Sequence, residues 1–146
     1  LQRVAEISGG VDIAGMQGAG AAGGIGFGLV KFAGARLVSG FDLVAEAIAL
    51  EDKISSADLV ITGEGSLDQQ TLGGKGPAGV AGMAKKRGVP VVAVAGRAER
   101  GAAELFDAVI SLEMFGLPKE ESIARAAELL ENAVKSQQED LRTLLI

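Results

Sequence analysis

The sequence predicts an α/β fold, an open three-layer parallel-sheet domain of Rossmann-like type, on three observations. Three short runs rich in Val and Ile, "DLVIT" (58–62), "VVAVA" (91–95) and "AVISL" (108–112), have the near-continuous apolar character of parallel strands buried on both faces. Helix-forming segments separate them, so that a crossover joins each strand to the next. The first run opens into a polar, glycine-rich stretch, at the strand end where open α/β sheets bind their ligands.

Along the chain, "LQRVAEIS" reads as a helix, and residues 9–24, "GGVDIAGMQGAGAAGG", as a loop. A helix is expected to start near Ala21, where Ala22, Ile25, Leu29, Phe32 and Ala33 recur at helical spacing. It contains Gly23, Gly24, Gly26 and Gly28, and each interior glycine costs about 1 kcal/mol relative to Ala, which predicts that something approaches this backbone closely. "ARLVS" (35–39) is a candidate strand, and Asp42 to Ala49 a helix with Leu43, Ala47 and Leu50 on one side. After the first parallel strand, Pro77 suits the first turn of a helix. Val80, Ala81 and Ala84 form its apolar face, Lys85, Lys86 and Arg87 suit its C-terminal dipole, and Gly88 closes it. "GRAERG" and a short helix around Ala102–Phe106 make the second crossover. Pro118 then opens a long helix to about Leu145, with Ile123, Ala127, Leu130, Val134 and Leu141 as its expected buried stripe. With no repeat, low-complexity tract or internal linker, residues 1–146 read as a single α/β domain or part-domain.

Composition narrows the function. At 146 residues and 48% hydrophobic content the chain can bury a core without metal or disulfide, and it is not a disordered polymer. Its apolar runs break well before the roughly 18 residues of a membrane span, and its net charge of −5 argues against general nucleic-acid binding. No membrane and no nucleic-acid partner is expected. The absence of Cys fits a cytoplasmic location. The absence of His removes the commonest general base, so any catalysis must run on carboxylates, Lys, Arg, backbone dipoles or a bound metal. The chain opens on Leu1 inside a helix-like segment without a signal-peptide pattern. It is expected to be a truncated piece of something larger, with an N-terminal portion missing.

Two glycine-rich sites carry the candidate chemistry. Gly18, Gly20 and Gly23 match G-x-G-x-x-G, with Asp42 beyond, although the preceding segment is a poor strand. Backbone N–H groups there, from Gly18 through Gly20, Ala21, Gly23 and Gly24, would cradle an anion; close helix packing is the alternative. The second site, "ITGEGSLDQQTLGGKGPAGVA" (61–81), places Glu64, Asp68, Gln69, Gln70, Thr71 and Lys75 among six glycines. Glu64 and Asp68 are candidates to hold Mg²⁺ or take a hydroxyl proton, Lys75 to offset phosphate charge, and Gly63 and Gly65 to allow close backbone approach. It is not a Walker A loop, because Gln69 and Gly76 stand where Gly and Ser or Thr are required. A solvated βα loop is the competing reading. Arg97 and Arg100 read as solvated turn residues, with contact to a nucleotide phosphate as the alternative, and Glu128, Glu131 and Glu139 as a wet helix face.

"GAGAAGGIG" (18–26), the 61–81 stretch and "GVPVVAVAGR" (88–97), in that order, resemble the C-terminal part of the class I glycerate kinase family over nearly the whole chain. The resemblance implies transfer of phosphoryl from ATP to D-glycerate, giving 2-phosphoglycerate in most members, with Mg²⁺ and a two-domain fold whose active site lies between the domains. Ser66 departs from the family pattern, in which many members carry Arg, and Gly76 stands where Ala is usual. The first departure removes one charge partner for phosphate. Laid over the resemblance, Asp68 is expected to orient or deprotonate the glycerate hydroxyl, Glu64 to be the metal-linked carboxylate, and Lys75 to partner phosphate or carboxylate. Gly63, Gly65, Ser66, Gln70 and Thr71 would border substrate or phosphate, with the Gly18–Gly24 backbone as anion cradle. A homodimer is compatible with this reading, and the chain alone is expected not to turn over. A non-catalytic Rossmann-like module that binds a nucleotide or carboxylate metabolite stays open, as does a purely structural segment.

Overall fold

The computed structural model describes residues 1–73 and 76–145. Two compact units are present, one over Leu1–Leu43 and one from Val44 onward.

The first unit holds α1 (Gln2–Ser8), α2 (Val11–Ala14), a 3-10 turn over Ala21–Gly24, and α3 (Ile25–Ala33). Its core is small: Ala5, Ala19 and Phe27, with Ile13, Ala14 and Leu37 against them. The glycines here serve distinct ends. Gly18, Gly23 and Gly24 have positive φ (87°, 72° and 102°), a conformation that costs other residues about 1–2 kcal/mol. Gly26 instead lets the chain approach itself, because a Cβ there would lie 2.4 Å from the Gly18 carbonyl oxygen. Beside it, Phe27 N–H donates to Ala19 O at 2.9 Å. The close approach expected at this helix is therefore, at Gly26, made by the preceding loop. The apolar stripe also differs from expectation: α3 buries Gly26 and Phe27, while Ile25, Leu29 and Phe32 are exposed. Backbone contact at Gly26 decides which face turns inward, and periodicity does not report it.

"ARLVS" forms no strand; residues 34–39 carry no regular structure and lead into α4 (Gly40–Ala47). The second unit continues with α5 (Leu50–Ser55), β1 (Val60–Leu67), α6 (Gly76–Arg87), β2 (Val91–Ala98), α7 (Arg100–Ala103) and β3 (Ala108–Ser111). A 3-10 turn over Leu112–Phe115 follows, then α8 (Lys119–Ala124), α9 (Ala126–Ser136) and α10 (Gln138–Thr143). The sheet is parallel, in the order β1-β2-β3, with Val60 opposite Val91 and Val92 opposite Ala108. On one face Val91, Ala93 and Ala95 pack with Ile54 of α5, Ala81 and Ala84 of α6 and Ala102 of α7. On the other, Val92 and Ile110 pack with Leu112, Leu129 and Ala133. This is the open three-layer architecture the sequence predicts.

Two boundaries differ in ways that matter for the site. Both β1 and β2 run three residues or more beyond their apolar runs, through Leu67 and Ala98. Gly63, Glu64, Gly65 and Ser66 have low strand propensity, yet the ladder with β2 holds them extended, Glu64 opposite Ala95 and Ser66 opposite Arg97. They belong to the strand, not the loop. The long C-terminal helix is broken at Arg125 (φ −107°) and Gln137 (φ −108°). These breaks shift the buried face to Leu129 and Ala133, leaving Ile123, Ala127 and Val134 exposed. Arg125 at the first break pairs with Glu121 and Glu128, and the guanidinium holds the Glu128 carboxyl below its ordinary range. Among the described residues no helix is long and apolar enough to cross a membrane.

Candidate active site

The carboxyl end of β1 presents Glu64, and the turn that follows folds back to hold it. Thr71 Oγ1 donates to Glu64 Oε1. Thr71 Oγ1 itself accepts from Asp68 N–H at 3.1 Å, while Asp68 Oδ1 accepts from Gln70 N–H at 2.8 Å and Asp68 O from Thr71 N–H at 3.0 Å. One threonine hydroxyl thus ties the two carboxylate residues together, and Asp68 stabilises the turn that brings Thr71 round. Thr71 is buried (2% exposed), with its hydroxyl used on both sides. Its hydroxyl is engaged within the protein, between Glu64 and Asp68, at the position where the sequence led us to expect a substrate contact. Glu64 and Asp68 are half-buried and Gln70 exposed. One carboxylate oxygen of each, Glu64 Oε2 and Asp68 Oδ2, has no hydrogen-bond partner among the described residues. Lys75 lies outside those residues.

Gly63 needs correction as a site of ligand approach. A Cβ there would stand 2.3 Å from the Val94 carbonyl oxygen, so the group that approaches it is the neighbouring strand. Gly65 and Gly20, by contrast, face open space. Ser66 borders a cavity of about 530 Å³ together with Arg97. The position of Arg97 beside Ser66 was not legible from its turn-like sequence context; aligning the starts of "VITGEGSL" and "VVAVAGRA" would have set the two opposite each other. Gly18, Gly20, Ala21, Gly23 and Gly24 lie in the first unit, where the 3-10 turn and the left-handed Ala22 (φ 49°) precede α3.

The Glu64–Thr71–Asp68 arrangement predicts a separable effect. Thr71→Val removes the donor to Glu64 and the acceptor for Asp68 N–H, and should cost about 1–3 kcal/mol of stability together with activity. Thr71→Ser keeps both bonds and should restore both quantities, as read by melting temperature and kcat. Equal loss in Ser and Val would mean that the methyl group, not the hydroxyl, matters.

A family model described as the glycerate kinase family matches residues 1–142. The chain belongs to the glycerate kinase family. A glycerate kinase of Halalkalibacterium halodurans is 44% identical over 131 residues, covering 87% of this chain and 34% of that protein. Glycerate 2-kinase of Escherichia coli K12 is 51% identical over 86 residues, 59% of this chain and 23% of the relative. The crystal structure described as glycerate kinase 2 from Salmonella typhimurium LT2 matches with a TM-score of 0.54 at 42% identity, over 75% of this chain and 28% of that one. Against the glycerate kinases of H. halodurans and Bacillus subtilis, the chain spans about a third of the relative's length (34% and 32%).

Proposed function

We propose that the protein is an ATP-dependent kinase that phosphorylates D-glycerate, giving 2-phosphoglycerate, with the chemistry at the carboxyl end of β1. The observation that carries this reading is the pair of carboxylate residues joined through Thr71, in a chain of the glycerate kinase family. Phosphoryl transfer asks mainly for positioning and charge neutralisation, which a chain lacking His and Cys supplies. Asp68, its Oδ1 fixed by Gln70 N–H, keeps Oδ2 to orient or deprotonate the attacking hydroxyl. Lys75 neutralises phosphate or carboxylate, and the Gly18–Gly24 backbone cradles an anion.

Among the described residues no group of three or more Asp, Glu, His or Cys could hold a metal. Mg²⁺ commonly takes one or two carboxylates and completes its shell with water and substrate phosphates. Glu64 would hold it through its unpartnered Oε2, which leaves Asp68 Oδ2 to the hydroxyl. When bound, the ion supplies charge neutralisation on the transferring phosphoryl group. Because the chain spans about a third of its kinase relatives, the 146-residue chain by itself is expected to bind weakly and not to turn over.

Calorimetric titration of the full-length protein with a magnesium complex of a non-hydrolysable ATP analogue, and separately with D-glycerate, tests the reading. A kinase binds both; a binding module takes one of them, and a structural segment neither. The cradle has its own test in Gly20→Val. Gly20 has φ −79°, and a Cβ there meets nothing within 4 Å, so melting temperature should hold while anion binding weakens. Equal loss of stability and binding would assign the glycines to packing.

A further inference from the structure

Arg97 lies on β2, not on a turn, and borders a cavity. Side chains of a strand alternate between faces, yet Val60 and Leu67, seven apart on β1, pack in the same core, as do Ala95 and Ala98, three apart on β2. Both strands therefore change phase once near their carboxyl ends. Gly65 and Gly96 lie within these two breaks, so close together that a Cβ on Gly96 would stand 2.7 Å from the Gly65 carbonyl oxygen. Beyond the break Ser66 and Arg97, partners in the ladder, both border the cavity of about 530 Å³.

Its walls sort by chemistry. Leu112, Leu117 and Ile123 make an apolar side, Arg97 and Lys119 bring two cations, and Glu113 brings one carboxylate. The Arg97 side chain is about half exposed and pairs with Glu99 at 2.9 Å, a surface contact that a phosphate would have to share or displace. Glu113 is fixed at the strand ends, its Oε2 accepting from Ala98 N–H at 3.0 Å and from Ser111 Oγ at 3.4 Å. Its Oε1 has no partner among the described residues and, being ionised, can only accept. Lys119 has no ion-pair partner among the described residues. Ser66 Oγ is shut off from solvent without a hydrogen-bond partner, an uncompensated cost of about 1–3 kcal/mol.

We propose that this cavity is the nucleotide site, taking a nucleoside triphosphate with its base against the apolar wall, its ribose hydroxyls donating to Glu113, and its phosphates on Arg97 and Lys119. The volume lies within the range of about 300–1,000 Å³ typical of small-molecule sites, and it exceeds what a three-carbon acid fills. A hydroxy acid also has no use for the apolar wall. The inference rests on the kinase reading and adds to it which groups meet the phosphoryl donor.

The test is calorimetric binding of a non-hydrolysable ATP analogue and of D-glycerate to the full-length protein, with steady-state kinetics alongside. Arg97→Gln and Lys119→Gln should each weaken the analogue by about 10- to 100-fold, the loss of one charge-assisted contact of about 1.5–3 kcal/mol, with D-glycerate affinity unchanged. Ser122→Phe, which narrows the cavity without altering charge, should weaken the analogue too, with melting temperature reporting that each variant folds. If the wild-type protein turns over ATP and D-glycerate but these variants keep their nucleotide affinity, the cavity assignment fails and the kinase reading stands. Loss of D-glycerate affinity instead would assign the cavity to the acid. Nucleotide binding that depends on Arg97 without glycerate turnover would keep the site and overturn the kinase reading, and a wild-type protein that binds no nucleotide would overturn both.

Discussion

Asp68→Asn in the full-length protein is expected to lower kcat by about 10²- to 10⁴-fold, the usual contribution of a positioned general base, while KM for D-glycerate stays close to its wild-type value. Asn keeps the size of Asp, and its carbonyl oxygen can still accept from Gln70 N–H, which Asp68 Oδ1 accepts at 2.8 Å. The turn and its hold on Thr71 should therefore survive. What is lost is the charge and the capacity to take a proton, and both count most in the transition state. Unchanged turnover would remove Asp68 from the chemistry. A fall in kcat accompanied by an equal fall in melting temperature would reduce Asp68 to a structural part of the turn.

Gly63→Ala is expected to be the most destabilising single-methyl change at the site. The new Cβ would stand 2.3 Å from the Val94 carbonyl oxygen, a backbone atom inside the β1–β2 ladder. A flexible side chain could yield to it; a central strand cannot move without lengthening its hydrogen bonds. Overpacking of this kind costs about 1–3 kcal/mol and more where the neighbour is rigid. With about 4–8 °C per kcal/mol for a unit of this size, a fall of about 10 °C or more in melting temperature should follow. Gly65→Ala, two residues on and with nothing within 4 Å of its Cβ, is the control and should cost far less. Equal effects would show that strand propensity, not the contact with Val94, governs both positions.

The sheet was legible because Val- and Ile-rich composition marks the runs at 60–62, 91–95 and 108–111 as strands, although only the central run 91–95 is buried on both faces, and Ile61 on the edge strand β1 is exposed. Where the strands ended was not legible, because Gly63 to Ser66 are held extended by pairing with β2 and not by their own preference. The polar stretch likewise announced Glu64 and Asp68. It did not announce that Thr71 is spent between them, since that depends on the curl of one turn. Ile25, Leu29 and Phe32 show the limit of periodicity: they share a helix face, but the contact of Gly26 with Gly18 selects another face for burial. The place of Arg97 opposite Ser66 was not legible because it comes from a partner on a different strand, which no local pattern carries.

The most direct measurement is phosphorus NMR of the product formed by the purified full-length protein from ATP, Mg²⁺ and D-glycerate. The account predicts a phosphomonoester resonance of 2-phosphoglycerate, appearing with ADP at about 1–100 turnovers per second and suppressed by Asp68→Asn. ADP formation that does not depend on D-glycerate, or no phosphoglycerate at all from a folded protein that binds nucleotide, would contradict it.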